Sequence, residues 1–200
     1  MDLIQRTIPE QIAKILRQEI LAGKLQPGEP LREKQFSERF GVSRGPVREA
    51  FRQLTQQGLL VSVPNKGVSV APCPSDWVRP LIVELRRTIE SFVLDSIFKE
   101  ITQEDISAWE KNLADIKEAC QRNDQDALVN CDLRFHQAII QSHDDNDLFT
   151  LWHPIVLRML MQYQRFDNLM YSYDEHARIL EAIRRGDKAE ALAALEANLL

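Results

Sequence analysis

The sequence has few cysteines and no long apolar segment, and both shortages limit what the protein can be. Its three cysteines, Cys73, Cys120 and Cys131, lie far apart and form no C-x-x-C pair, so neither a disulfide framework nor a thiolate zinc site is expected. No apolar run reaches the roughly 18 residues of a transmembrane helix, and the first residues lack the apolar stretch of a signal peptide. These absences predict a folded cytoplasmic protein.

Charge is distributed unevenly along the chain. The formal net charge of −5 argues against a simple nucleic-acid binder. Residues 1–72, however, contain 11 lysines and arginines against 7 acidic residues, a net +4, whereas the remaining residues contain 14 against 23, a net −9. A basic module joined to an acidic remainder is expected when only one part of a protein contacts a polyanion.

A segment with separate apolar and cationic faces begins at Ser43. Ser43 suits an N-cap, whose hydroxyl accepts a hydrogen bond from a free backbone N–H, and Pro46 falls in the first turn, where no donor is needed. Arg44, Arg48 and Arg52 follow at intervals of four on one face of the predicted helix. A helix that leads with arginines suits the major groove of DNA, although a solvated basic face has the same pattern.

The surrounding sequence predicts a helix-turn-helix followed by a hairpin. Thr7 and Glu10 form a capping box for a first helix, and residues 33–40 form a short second helix before a tight turn. After the third helix, two β-branched runs flank the turn P-N-K-G, which predicts a β-hairpin. In this position the hairpin is typical of a wing, with Lys66 at its tip near a phosphate or the minor groove. A purely stabilising hairpin is the alternative.

The rest of the chain is helical in character. Two prolines within residues 71–76 mark a boundary between domains. Pro154 is expected to kink or shorten the helix that contains it. The predicted helices lie near 75–99, 103–122, 124–142, 146–167, 173–185 and 187–199, with caps at Thr102, Asn123 and Asn146.

One group of polar residues in this second half carries potential chemistry. Asp132 and His136 are four residues apart and share a helical face with apolar residues, and His176 heads a similar stripe on a later helix. Polar side chains inside an apolar stripe need partners. A carboxylate and two imidazoles converging in a bundle core suit a divalent transition metal, but a hydrogen-bonded Asp–His pair explains the spacing equally well. No nucleophile or oxyanion feature accompanies the group, so an enzyme is not indicated.

Several of these motifs together resemble a known DNA-binding domain. The patterns are G-x-L-x-P-G-x-x-L at residues 23–31, V-S-R-x-P-V-R-E-A at residues 42–50, and Gly58-Leu59. Over residues 8–71 the sequence resembles the winged helix of the GntR superfamily of bacterial transcription regulators. The resemblance implies that DNA is contacted by Lys34, Ser43, Arg44, Gly45, Arg48, Lys66 and Gly67.

The second half is similar to the effector-binding helical domain, called FCD, of the FadR-type branch. The similarity spans residues 77–200 and rests on D-L-R-F-H at 132–136 and H-A-R-I-L-E-A-I-R-R-G-D at 176–187. In many such domains an aspartate and three histidines bind a metal that helps to hold a small carboxylate. The resemblance therefore implies that Asp132, His136 and His176 bind a divalent ion such as Zn, Ni or Mn.

Two further positions follow from the same resemblance. Asn198 falls where relatives have the fourth metal ligand, and an amide there favours a harder ion, a water in its place, or no ion. Arg86 opens an R-x-x-x-E pattern in the first helix and is implied to hold an effector carboxylate by a bidentate contact. The alternative for Arg86 is a surface ion pair with Glu90.

The sequence thus predicts a mostly α-helical protein. Its parts are a winged helix-turn-helix over residues 1–71, a Pro-containing linker over 72–76, and an all-helical effector-binding and dimerisation domain over 77–200. The predicted function is a ligand-responsive regulator, most simply a repressor, that binds an inverted-repeat operator as a homodimer. The alternatives are a ligand-independent dimeric DNA-binding protein and a metal-dependent enzyme.

Overall fold

The computed structural model describes residues 7–64, 67–142, 146–161 and 168–199, and these residues are mostly helical. Apart from residues 160–161, they form two compact units that divide between Pro74 and Ser75. No helix in the described ranges combines the length and the apolarity needed to cross a bilayer. The predicted fold class, a winged helix-turn-helix followed by a helical bundle, is confirmed.

The first unit contains three helices and a small antiparallel sheet with strand order β1-β3-β2. Only the hairpin β2–β3 was predicted. The sequence places β1 in a turn-rich connector, because a two-residue strand is too short to show alternation. The elements are α1 (Ile8–Leu21), β1 (Pro30–Leu31), α2 (Glu33–Phe40), α3 (Arg44–Gln56), β2 (Leu60–Val63) and β3 (Gly67–Val70).

The apolar face of α3 fixes this helix in the first unit. Val47, Phe51 and Leu54 are buried, and the Phe36 ring of α2 meets Phe51 edge-on with 5.6 Å between ring centroids. Ser43 takes the N-cap position, but its side chain makes no capping hydrogen bond, so that part of the prediction is wrong. The start of α3 depends on packing of its apolar face.

The second unit is a bundle in which α5 packs on α6 and α8, α8 packs on α9, and α4 packs on α6 and α9. Its core contains large apolar side chains such as Trp109, Ile116 and Phe135. The helices are α4 (Arg79–Ile97), α5 (Gln103–Gln121), α6 (Gln125–Gln141), α7 (Asn146–Leu160), α8 (Met170–Arg184) and α9 (Lys188–Asn198).

Two helix starts differ from the prediction for local reasons. Helix α4 begins four residues later than predicted, since Pro80 lies in its first turn, where a missing N–H costs nothing. Helix α6 is capped by Asp124 rather than Asn123: the Asp124 carboxylate accepts from the Ala127 N–H at 2.9 Å, while Asn123 has a positive φ of 51°. The capping box of Thr102 with Asp105 is confirmed.

The ends of α7 and α8 also differ from the prediction. Asn146 is the first residue of α7 rather than its cap, and the helix continues past Pro154 to Leu160. Residues 162–167, which the prediction included in this helix, lie outside the described residues. Helix α8 begins at Met170, about one turn before the predicted start.

Candidate functional site

Five of the buried ionisable side chains described in the helical unit form one group in its core. Helix α4 provides Arg86 and Glu90, α6 provides Asp132 and His136, and α8 provides His176. Because removing charge from water is costly, such groups are tolerated only when they compensate one another or bind an ion. We call these five residues the buried charge cluster.

Three members of the buried charge cluster have the composition and spacing of a metal site. Single ligand atoms of Asp132, His136 and His176 all lie within 4.8 Å of one another. The Asp132 Oδ1 atom is 3.3 Å from His176 Nε2 and 3.8 Å from His136 Nε2. Phe135 contacts both imidazoles edge-on, with centroid separations of 5.6 and 4.8 Å. The sequence prediction that these three residues share one location agrees with this geometry.

The hydrogen bonds of the two imidazoles fix which nitrogen carries the proton. His136 Nδ1 lies 2.7 Å from Glu90 Oε2, and His176 Nδ1 lies 2.7 Å from the Ser172 carbonyl oxygen. An ionised carboxylate and a carbonyl oxygen only accept hydrogen bonds, so both Nδ1 atoms donate. A neutral imidazole then has its lone pair on Nε2. Both Nε2 atoms are buried and lack a hydrogen-bond partner among the described residues.

A cation is the simplest partner for these atoms. The Asp132 carboxylate oxygen lies less than 4 Å from both imidazole Nε2 atoms. Such electron-rich atoms repel unless a proton or a metal cation lies between them. Imidazole nitrogen and carboxylate oxygen together suit Zn, Ni and Mn. The donation of Nδ1 to an acceptor outside the site is the arrangement common to metal-binding histidines. The residues present therefore fit a divalent metal.

Glu90 is the central acceptor of the cluster, although the sequence analysis named it only as an alternative ion-pair partner of Arg86. Its Oε1 accepts from Arg86 Nε and from Trp152 Nε1, each at 2.7 Å, and its Oε2 accepts from His136. The predicted alternative for Arg86, an ion pair with Glu90, is present, but the pair is buried and not on the surface as predicted. The apolar neighbours Val93 and Leu94 at helical spacing were the available signal that Glu90 faces inward.

The cluster shifts the pKa values of its own members. Burial raises the pKa of Glu90, but the Arg86 charge and the His136 contact outweigh it and bring this pKa down to about 2. Burial likewise raises the pKa of Asp132, yet the neighbouring His176 side chain and the Arg86 charge outweigh it and hold this pKa well below the usual range. Burial lowers the pKa of His136 against the pull of Glu90. Both carboxylates are thus ionised and His136 is neutral at physiological pH.

Two groups at the edge of the cluster have unused hydrogen-bonding capacity. The Arg86 Nη2 atom is buried, lies 3.9 Å from Asp132 Oδ2, and forms no hydrogen bond within the described part of the chain. Asn198, the last residue of α9, donates from Nδ2 to Glu175 Oε2 at 3.5 Å. Its Oδ1 is buried and has no partner in the same described ranges.

The predicted DNA-contacting residues lie on the first unit. Ser43, Arg44 and Gly45 are exposed at the amino-terminal end of α3, where backbone N–H groups favour an anion. Lys34 is exposed on α2. Gly67 opens β3 with a φ of +88°, a conformation that favours glycine. Lys66 lies outside the described residues.

Arg48 is exposed but already paired. Its Nε and Nη2 atoms donate to the two Glu33 carboxylate oxygens, each at 2.8 Å, which links α3 to α2. The hydrogen bond lowers the pKa of Glu33 and raises that of Arg48. Arg52 is held in a similar way by Glu49, one turn earlier on the same helix. Arg48 must therefore exchange Glu33 for any DNA group that it contacts.

Comparisons with known proteins give one family match for each of the two units. The description "Bacterial regulatory proteins, gntR family" matches residues 8–70, and the FCD domain matches residues 81–200. The HTH-type transcriptional repressor RspR of Escherichia coli (strain K12) is 36% identical over 137 residues, which cover 68% of this chain and 60% of that protein.

A second relative and a solved structure match most of the chain. The gluconate operon transcriptional repressor of Bacillus subtilis (strain 168) is 25% identical over 200 residues, covering 94% of this chain and 80% of that protein. The structure of E. coli McbR/YncC superposes with a TM-score of 0.84 at 21% identity, covering 98% of this chain and 94% of that one. At that identity the likeness shows the fold alone.

The two family matches separate the predicted DNA-binding regulator from the predicted alternative of a metal-dependent enzyme. Both belong to DNA-binding transcriptional regulators and not to enzymes, and both relatives are named as repressors. The chain belongs to the GntR family of bacterial transcriptional regulators, in the FadR-type branch whose second domain is an FCD domain.

Proposed function

We propose that this protein is a homodimeric repressor that binds an inverted-repeat operator and responds to a small carboxylate held with the help of a metal ion. The winged helix of residues 1–71 would contact DNA, and the helical domain of residues 77–200, joined by residues 72–76, would bind the ligand. The observation that carries the proposal is the pair of buried imidazole Nε2 atoms facing the Asp132 carboxylate. Arg86 lies beside that carboxylate, and its Nη2 has no hydrogen bond among the described residues.

Asp132, His136 and His176 would hold the metal. When bound, the ion would supply a positive charge that attracts an anionic effector. Asn198 stands where many relatives have a further histidine, so three protein ligands remain, and an oxygen donor at that place would favour a harder ion than zinc or nickel. Mn²⁺ is therefore tested beside Zn²⁺ and Ni²⁺.

Arg86 would bind the effector carboxylate. Its Nε is occupied by Glu90, which leaves Nη2 as the buried donor available to an anion. A hydrogen bond from an arginine to a carboxylate is strong, and more so away from water. One relative is named as the gluconate operon repressor, so gluconate, a small hydroxy-carboxylate, is a reasonable first probe.

Homodimer formation would use the outer face of α4. Leu81, Leu85 and Phe92 are exposed and recur at helical spacing along one side of α4, and Trp77, two residues before the helix begins, is 83% exposed. Exposed apolar stripes of this kind mark interaction surfaces. A second copy of the chain is the partner that fits, because a two-fold dimer presents two α3 helices to the two half-sites of an inverted repeat.

The proposed response is a shift between two arrangements of the dimer. Helix α4 carries Arg86 and Glu90 toward the core and the apolar stripe toward solvent, so a ligand held by Arg86 would act on the helix that contacts the second copy. A ligand that favours one arrangement by about 1 to 3 kcal/mol changes DNA occupancy roughly 5- to 150-fold. The second candidate function, a ligand-independent dimeric DNA binder, is favoured by the absence of a third histidine, the fourth metal ligand, at the position of Asn198.

Exchange of Arg48 for alanine should weaken binding and reduce base preference. On duplexes selected from a random library by the wild-type protein, Arg48→Ala should bind roughly 5- to 150-fold more weakly, as expected for loss of a bidentate base contact. Arg52→Ala is the matched control, because Arg52 is also exposed and paired but lies one turn farther along α3. It should retain base preference. Equal losses of preference in both variants would contradict a reading role for Arg48.

Exchange of Asp132 for asparagine should remove bound metal. The substitution nearly conserves volume, so the core remains packed, but it removes the only anionic ligand of the proposed set. Elemental analysis after incubation with Zn²⁺, Ni²⁺ or Mn²⁺ should find metal in the wild type and in Asp174→Asn, which alters an exposed carboxylate on α8. Metal retained by Asp132→Asn would refute this assignment.

A carboxylate should stabilise the metal-loaded protein against heat. A ligand present at a hundred times its Kd adds about 2.7 kcal/mol to the free energy of unfolding, which for a protein of this size raises Tm by roughly 5 to 10 °C. Gluconate and other small hydroxy-carboxylates should give such shifts in the wild type and not in Arg86→Gln. If neither metals nor carboxylates change Tm, the ligand-independent DNA binder is the correct function.

Introducing charge on α4 should separate the dimer. Leu81→Glu places a carboxylate in the centre of the apolar stripe, and light scattering after size-exclusion chromatography should give half the wild-type mass. Ala108→Glu, at an exposed position on α5, carries the same charge change and should remain dimeric. A wild-type protein that is already monomeric at micromolar concentration would contradict the proposed dimer.

A further inference from the structure

We propose that Glu90 is the positioning residue of the metal site: it presents the His136 lone pair to the ion and at the same time fixes Arg86 beside it. This inference deepens the proposed function and rests on it. Glu90 is completely buried and lies 46 residues before His136 in sequence. It is not a ligand in the proposed set, so its action would be exerted through the side chains that it holds.

The two carboxylate oxygens of Glu90 accept hydrogen bonds from different side chains. Oε1 accepts from Arg86 Nε and Trp152 Nε1, whereas His136 Nδ1 is the partner of Oε2, all at 2.7 Å. The donors come from three helices, α4, α7 and α6, so each constrains the carboxylate from a different direction. The His136 ring therefore cannot turn without breaking a buried hydrogen bond, which is costly.

A carboxylate at this position allows only one neutral tautomer of His136. Since ionised Glu90 has no proton to donate, Nδ1 must carry the hydrogen, and the lone pair on Nε2 faces Asp132. A glutamine has one acceptor oxygen for three donors. If its oxygen remains with Arg86 and Trp152, its NH₂ group faces Nδ1 and stabilises the tautomer with the proton on Nε2, the atom that would bind the metal.

His176 provides an internal comparison. Its Nδ1 donates to the backbone carbonyl of Ser172 in the preceding turn of α8, and no side-chain substitution at Glu90 removes that acceptor. The two proposed imidazole ligands thus have their tautomers set by different groups, one a side chain and one the backbone. A change that affects His136 and spares His176 would identify Glu90 as the cause, whereas a general loosening of the core would affect both.

Glu90 also determines which part of Arg86 remains for an anion. By occupying Nε, it orients the guanidinium plane. Nη2 lies 3.9 Å from Asp132 Oδ2 and has no hydrogen bond among the described residues. The same carboxylate therefore holds a proposed metal ligand and the proposed anion donor. Metal affinity and anion affinity would both depend on it.

The test compares Glu90→Gln with Glu84→Gln in the full-length protein. Glu84 is on the same helix but exposed, so the control makes the same chemical change. Long-range ¹H–¹⁵N spectra of the imidazoles, assigned with single histidine variants, report the tautomers without metal, and competition with a chromophoric chelator reports Zn²⁺ affinity. Glu90→Gln should convert His136 from Nδ1–H to Nε2–H, leave His176 unchanged, and weaken Zn²⁺ binding about 10- to 100-fold. Glu84→Gln should match the wild type.

The possible failures are distinguishable. Wild-type His136 with its proton on Nε2 overturns the inference without any variant, and this measurement decides the matter if Glu90→Gln does not fold. Unchanged tautomer and unchanged Zn²⁺ affinity in a folded Glu90→Gln protein also overturn it, while the proposed function stands. If the wild type binds no Zn²⁺ but the tautomer converts as expected, Glu90 positions His136 and the metal part of the proposed function fails.

Discussion

Compensation of buried charge is the constraint around which the helical domain is built. A buried guanidinium and two buried carboxylates are stable only if each charge has a partner, because an isolated charge in a protein core costs several kcal/mol. Glu90 meets this requirement with donors from α4, α6 and α7, which fixes those helices relative to one another. Among the described residues, the two imidazole Nε2 atoms and Arg86 Nη2 have no hydrogen-bond partner, which leaves this side of the network for the proposed ligands.

The DNA-binding unit uses the opposite arrangement, with apolar groups inside and charge outside. Burial of Val47, Phe51 and Leu54 fixes the orientation of α3, so that its arginines face solvent. Glu33 holds Arg48 in a bidentate pair. Such an exposed pair contributes little to stability, but it orders a long side chain. If Arg48 contacts DNA as proposed, a phosphate or a base edge would replace Glu33 as its bidentate partner.

The sequence predicted the elements with local signals and missed features that depend on distant partners. Helix α2 was predicted at residues 33–40 as found, since Phe36 and Phe40 supply the period and Gly41 ends the helix with a φ of +66°. Asp132 and His136 were placed on one face by their spacing alone. The role of Glu90 was not predictable in the same way, because an i,i+4 Arg–Glu pair has the same sequence pattern on a surface as in a core, and its deciding partner, His136, is on another helix.

The net charge of the buried charge cluster links the proposed metal ion to the proposed effector carboxylate. With neutral imidazoles, Arg86, Glu90 and Asp132 together carry one negative charge. A divalent cation held by Asp132 and the two histidines would change this to one positive charge, and a single carboxylate on Arg86 would then bring the whole buried group to neutrality. Because low effective dielectric strengthens each of these interactions, the metal would raise the affinity for the anion and, by linkage, the anion would raise the affinity for the metal by the same factor. An ion at Asp132 would thus be part of the effector site rather than only a structural brace.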